Sequence, residues 1–169
     1  MTAHFMATPD RKLSGQGVRF DCAIGKGGMV PQADKAEGDG GSPIGRWMMK
    51  RVFWRPDRVD RPKTGLPTVP LRLQDGWCDA AMDPLYNRPV TTAYPARHET
   101  LWRDDHVYDI IVELSHNQDP VIAGKGSAIF MHVAKPDYAD TEGCIALAID
   151  DLKAVLEKCG PGSVLEISA

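Results

Sequence analysis

The sequence predicts a mainly β domain with one or a few short helices, and three observations predict it. Apolar runs are short and bounded by glycine, proline or aspartate. Several alternate with period two: along Ser127 to Val133, Ala128, Phe130 and His132 fall on one face, with Ile129 and Met131 on the other. Only the stretch DDLKAVLEKCG carries a helical stripe, through Leu152, Val155 and Leu156.

The 169 residues suit one domain, since a chain of that length buries enough apolar surface to fold alone. Residues 1–17 are polar and turn-rich and are expected to be a short mobile lead-in to a domain over 18–169. VRFDCAI (Val18 to Ile24) is the first expected strand, followed by a glycine-rich turn and loop, GKGGMVPQADKAEGDGGSPIG. RWMMKRVFW (Arg46 to Trp54) and VPLRLQD are the next strands, separated by a proline-rich excursion. From Gly76 to Asp109 aromatics and prolines mix without sustained periodicity, so this reads as a long, partly structured insertion. YDIIVELSH (Tyr108 to His116) and SAIFMHV (Ser127 to Val133) are strands. Asp150 is the expected N-cap of the helix, Gly160 its stop, and SVLEI the closing strand.

Charge removes some partners. The net charge is −3 and the pI near 5.9, which leaves no general basic field for nucleic acid. No run approaches the roughly 20 apolar residues of a membrane span. The start lacks a basic leader and an apolar core, so a cytoplasmic location is expected, or a periplasmic one if the N-terminus has been trimmed. Cys22, Cys78, Cys144 and Cys159 are scattered, without the spacing of a zinc site, and are expected as free thiols. No metal or cofactor is expected.

One segment concentrates chemistry. GSAIFMHVAKPDYADTEGC ends an apolar strand on His132, makes a polar loop, and reaches Cys144 behind Gly143. A reactive thiol needs a base or cation beside it, and glycine permits a turn whose N–H groups can hold an oxyanion. A packed thiol and a hydrogen-bonded ring would look similar, so residue types alone leave both readings open.

The wider pattern resembles the L,D-transpeptidase catalytic domain, or YkuD, family. IFMH and TEGCIAL match the family's strand histidine and its Ser/Thr-x-Gly-Cys turn, with Thr141, Gly143 and Cys144 in place. GDGGSPIG resembles the earlier Ser/Thr-Pro-x-Gly loop. Two positions depart from the common form: Glu142 replaces a histidine and Ala146 an arginine. The His-to-Cys loop is also shorter.

The resemblance implies a mixed β sandwich or barrel and a cysteine acyl transferase acting on a peptidoglycan stem peptide or muropeptide fragment. Cys144 would be the nucleophile, His132 the general base and acid, Gly143 a backbone contributor to the oxyanion site, and the Val133 carbonyl the group orienting His132. Substrate contacts are expected from Ser127, Thr141, Trp77, Tyr86, Asn117 and Arg103. The acyl-enzyme could pass to water, an L,D-carboxypeptidase reaction of peptidoglycan recycling, or to an amine, a crosslink. A silent muropeptide-binding module is the reading from another class.

Overall fold

A computed structural model describes residues 1–169. Fourteen strands and one α-helix occur along it. In chain order the strands are β1 (His4–Thr8), β2 (Lys12–Gly15), β3 (Val18–Asp21), β4 (Met29–Val30), β5 (Ser42–Pro43), β6 (Gly45–Trp54) and β7 (Thr68–Pro70). They continue as β8 (Asp75–Cys78), β9 (Pro89–Thr91), β10 (His98–Thr100), β11 (Ile110–Leu114), β12 (Phe130–Val133), β13 (Ile145–Leu147) and β14 (Val164–Ile167); α1 is Ile149–Glu157.

The main sheet runs β13-β12-β11-β6-β14-β1-β2-β3, with β7 beside β6. It is mixed: β12 and β13 are parallel, as are β1 and β14, while β11 pairs antiparallel with both neighbours. Just past β3, Ala23 exchanges both backbone hydrogen bonds with Ala146 of β13, at 2.8 and 3.0 Å. That bridge joins the first and last strands of the order and closes the sheet into a barrel-like form. The expected mainly β architecture is therefore present.

Two apolar cores lie on opposite faces of β11 and β12. Ile110, Val112, Met131 and Val133 join one with Phe5, Leu13, Leu165 and the buried stripe of α1, Leu152, Val155 and Leu156. Ile111 and Phe130 join the other with Trp77 and Leu101, and Cys144 belongs to it. This second core is covered by the three-stranded sheet β10-β8-β9. The 76–109 insertion is thus an ordered lid of sheet whose apolar residues, Trp77 and Leu101, supply its reason to fold there.

Several boundaries differ from the expectation. The polar start is not a loose lead-in: Phe5 and Ala7 are fully buried, and β1 is an inner strand between β14 and β2. VPLRLQD is two strand ends rather than one strand, because Asp75 caps a turn by accepting the Arg72 N–H at 2.8 Å. Asp150 is not the N-cap of α1; Ala148 holds that place without a side-chain bond, and Asp150 sits in the first turn where its charge suits the helix dipole.

Candidate active site

Parallel pairing of β12 and β13 puts the two reactive side chains on one face. Register places Met131 opposite Ile145 and His132 opposite Ala146. Cys144, one residue before β13, therefore lies diagonally across from His132, with side chains of the same parity facing the same way. Both line a cleft of about 520 Å³. The departure at Ala146 matters here, because this short side chain lines the cleft directly across from the histidine.

His132 is buried, and its Nδ1 lies 3.0 Å from the Val133 carbonyl. A carbonyl can only accept, so Nδ1 carries the proton and Nε2 is left as the basic nitrogen. Tyr108 packs edge-on against the ring at 5.4 Å and against Phe130 at 6.1 Å. Burial holds the imidazole down to about 4, only partly offset by the bond to Val133.

Cys144 is 7% exposed. Its sulfur lies 3.2 Å from the Ala128 carbonyl and accepts the Phe130 N–H at 3.3 Å. Burial pushes the thiol up to about 12, with the Phe130 N–H working against that and the Glu99 carboxylate adding to it. Both shifts favour a neutral thiol and a neutral imidazole over a thiolate beside an imidazolium.

The Gly143–Cys144 turn is braced from two sides. Thr141 Oγ1 donates to the Cys144 carbonyl at 2.6 Å and accepts the Gly143 N–H at 3.1 Å. Gly143 has φ +134, and a Cβ there would meet the Gly41 carbonyl at 2.7 Å, so glycine is required by both conformation and space. The Gly143 N–H is therefore committed to Thr141, whereas the Cys144 N–H has no protein acceptor. Of the two N–H groups expected around the oxyanion site, Gly143 is thus occupied by Thr141 and Cys144 is free.

The remaining expected residues divide. Ser127, Thr141 and Arg103 line the cleft. Ser127 Oγ donates to Glu37 at 2.6 Å, and Arg103 forks onto Asp105 at 2.8 and 2.6 Å while its guanidinium sits 5.4 Å from the Tyr108 ring centre. Trp77, Tyr86 and Asn117 do not line it. Trp77 is a core residue whose indole N–H donates to Asn87 at 2.9 Å. Tyr86 stands behind the wall, donating to Glu37 at 2.7 Å and accepting the Gly126 N–H at 2.9 Å. Asn117, at φ 51, ties its own loop through Ile122 and Gly126.

Other cleft residues had weaker signals. Asp79 and Glu99 of the lid line the cleft, with Glu37 from the loop before β5 and Lys135, Asp140 and Glu142 from the loop between β12 and β13. Glu99 accepts the Tyr108 hydroxyl, and burial raises its carboxyl above the usual range. Asp79 and Arg97 pair with each other at 3.1 Å. Glu142, where the family commonly has histidine, is exposed and pairs with Lys26 at 2.9 Å. The shortened loop is held by the chain start: Arg11 donates to the Tyr138 carbonyl and, at 2.6 Å, to Asp140.

No curated protein matches the chain. Among solved structures, L,D-transpeptidase 1 of Mycobacterium tuberculosis aligns over 99% of this chain and 62% of its own, at 10% identity and a TM-score of 0.45. An L,D-transpeptidase from Mycobacterium smegmatis aligns over 99% and 58%, at 13% identity and 0.48. L,D-transpeptidase 3 of Mycobacterium tuberculosis aligns over 99% and 61%, at 11% identity and 0.49. The chain thus spans about three fifths of the length of these structures. The family model for the L,D-transpeptidase catalytic domain (YkuD) matches residues 7–167, nearly the whole chain, and the protein belongs to that family.

Proposed function

We propose that the protein is a cysteine acyl-transfer enzyme that cleaves peptidoglycan tetrapeptide stems between the third residue, meso-diaminopimelate or its equivalent, and the terminal D-alanine. The observation that carries this is the placement of Cys144 and His132 on one cleft, with Nε2 of the histidine left free to accept a proton. His132 takes the thiol proton as sulfur adds to the carbonyl, and the Cys144 N–H is positioned to meet the oxyanion. Collapse of the adduct breaks the peptide bond, and His132 returns the proton to the departing D-alanine amine. A thioester to Cys144 remains.

For the second half-reaction the reading is hydrolysis. The short Ala146 side chain opposite His132 leaves the space beside the base to the cleft, where a water molecule could enter. Water gives its proton to His132, its oxygen forms the acid, and the sulfur leaves and is reprotonated. Glu37, Glu99 and Lys135 in the lining of the cleft suit a stem that carries both amines and carboxylates. Four free thiols fit a reducing compartment, so we place the reaction in the cytoplasm, on recycled wall fragments.

Mass spectrometry of a soluble tetrapeptide muropeptide, with and without a D-amino acid acceptor, tests this against a Cys144→Ala control. Loss of D-alanine to water, absent from the variant, is expected. Exchange or dimer formation would replace hydrolysis with transpeptidation. No turnover with retained binding would leave a muropeptide-binding module. Fractionation of the native protein to the periplasm would overturn the placement.

A further inference from the structure

The unpaired Cys144 N–H is aimed by a side chain outside the cleft. Ser42, the first residue of β5, is fully buried. Its Oγ donates to the Gly143 carbonyl at 2.8 Å and accepts the Gly25 N–H at 2.9 Å. A peptide group is planar and trans, so a carbonyl and the N–H that follows it point in opposite directions. With the Gly143 carbonyl drawn toward Ser42, the Cys144 N–H must point away from it. Cys144 lines the cleft, whereas Ser42 and Gly143 do not.

Thr141 holds the groups on either side of this peptide, the Gly143 N–H and the Cys144 carbonyl. Ser42 alone holds the peptide plane itself. A hydroxyl is suited to this because it donates and accepts at once from a short side chain. The loop behind it is rigid: Asp39 accepts the Gly41 N–H at 2.8 Å and pairs with buried Lys35 at 2.5 Å.

We infer that Ser42 is a positioning residue for acyl transfer, whose hydroxyl fixes the Gly143–Cys144 peptide plane so that the Cys144 N–H meets the oxyanion formed when Cys144 adds to the substrate carbonyl. The inference rests on Cys144 being the acylated nucleophile. It separates two reactions of one sulfur. Acylation passes through an oxyanion and needs the donor; alkylation by iodoacetamide displaces iodide from a saturated carbon, forms no oxyanion and does not.

The test compares wild type, Ser42→Ala and Ser42→Thr by single-turnover acylation with a tetrapeptide muropeptide and by iodoacetamide labelling of Cys144 at pH 9. Ser42→Ala is expected to acylate roughly ten- to a hundredfold more slowly, with KM and the alkylation rate little changed. Ser42→Thr, which keeps the hydroxyl, is expected to recover most of the rate. Should Ser42→Ala not fold, Ser42→Cys supplies a weak donor of similar size for the same comparison. Unchanged acylation in the folded variant would overturn the inference, and so would equal loss of acylation and alkylation, which marks a merely structural role. Absence of acylation in wild type would overturn the acyl-transfer reading beneath it.

Discussion

The Cys144 thiol donates to the carbonyl of Ala128 at 3.2 Å, in the segment that leads into β12 and His132. Ala128 is itself at φ 52, held there by Asn87, whose Oδ1 accepts the Ala128 N–H at 3.0 Å. With the thiol held up to about 12, its ionised fraction at pH 7 is about a thousandfold below that of an ordinary cysteine. Iodoacetamide at neutral pH is therefore expected to label Cys144 far more slowly than free cysteine. The rate should climb steadily through pH 9. Fast labelling that levels off near pH 6 would show a stable thiolate and contradict the geometry.

The pH dependence of turnover follows from the same neutral pair. The base must be unprotonated, and His132 is held near 4, so the acid limb of kcat/KM is expected close to that value. The alkaline limb from Cys144 lies near 12. Activity should then be flat across the neutral range, whereas a thiolate–imidazolium enzyme would show a bell. His132→Ala is expected to lower kcat by about 10²–10⁴-fold, measured at pH 7 on the muropeptide.

The shared placement of His132 and Cys144 was legible from sequence because its signals are local. Period-two alternation correctly put Phe130 and His132 on one face, and Gly143 announced the turn. What sequence could not show were contacts between distant segments. Trp77 and Tyr86 read as cleft residues because aromatics in a long insertion suggest binding, yet the lid sheet turns the one into the second core and the other behind Glu37. Glu37 itself sits in a glycine-rich stretch with no periodicity. Residues 1–17 looked mobile because their strands are short and polar on one face, and only pairing with β14, far along the chain, reveals Phe5 and Ala7 as core. Ser42 was visible within its motif, but its bond to Gly143 spans 101 positions.

Thr141 offers a direct test of the turn. Thr141→Val keeps the shape but removes the acceptor of the Gly143 N–H and the donor to the Cys144 carbonyl. A loss of about 1–3 kcal/mol of stability is expected from denaturant unfolding, because a backbone group loses its partner. Acylation should fall with it, while Thr141→Ser stays near wild type. A stable but fully active Thr141→Val would show that the turn holds without this side chain.

Tyr108 separates packing from hydrogen bonding beside the base. Tyr108→Phe preserves the edge contacts to His132 and Phe130 and leaves Glu99 without that hydroxyl donor. It is expected to cost about 1–3 kcal/mol of stability with a small change in kcat. Tyr108→Leu, which removes the ring, should lower kcat further by freeing the imidazole. Equal kcat in the two variants would place the effect in the hydroxyl instead.

Acid stability tests the two buried imidazoles together. His116 packs edge-on to Trp47 at 4.9 Å, its Nδ1 has no partner, and burial holds it down to about 4, with Lys35 lowering it further and Asp39 opposing. His132 is lowered to about the same value. Unfolded histidines take up protons near 6.5, so between about pH 6.5 and 4 the unfolded chain binds more protons and stability falls as the pH drops. The stabilisation is complete above that window, and each ring contributes at most about 3 kcal/mol to the fall. His116→Phe keeps a ring against Trp47 without a titrating group, and is expected to remove about half of the drop in Tm between pH 7 and pH 4. An unchanged acid slope in that variant would mean that His116 is already protonated in the folded protein.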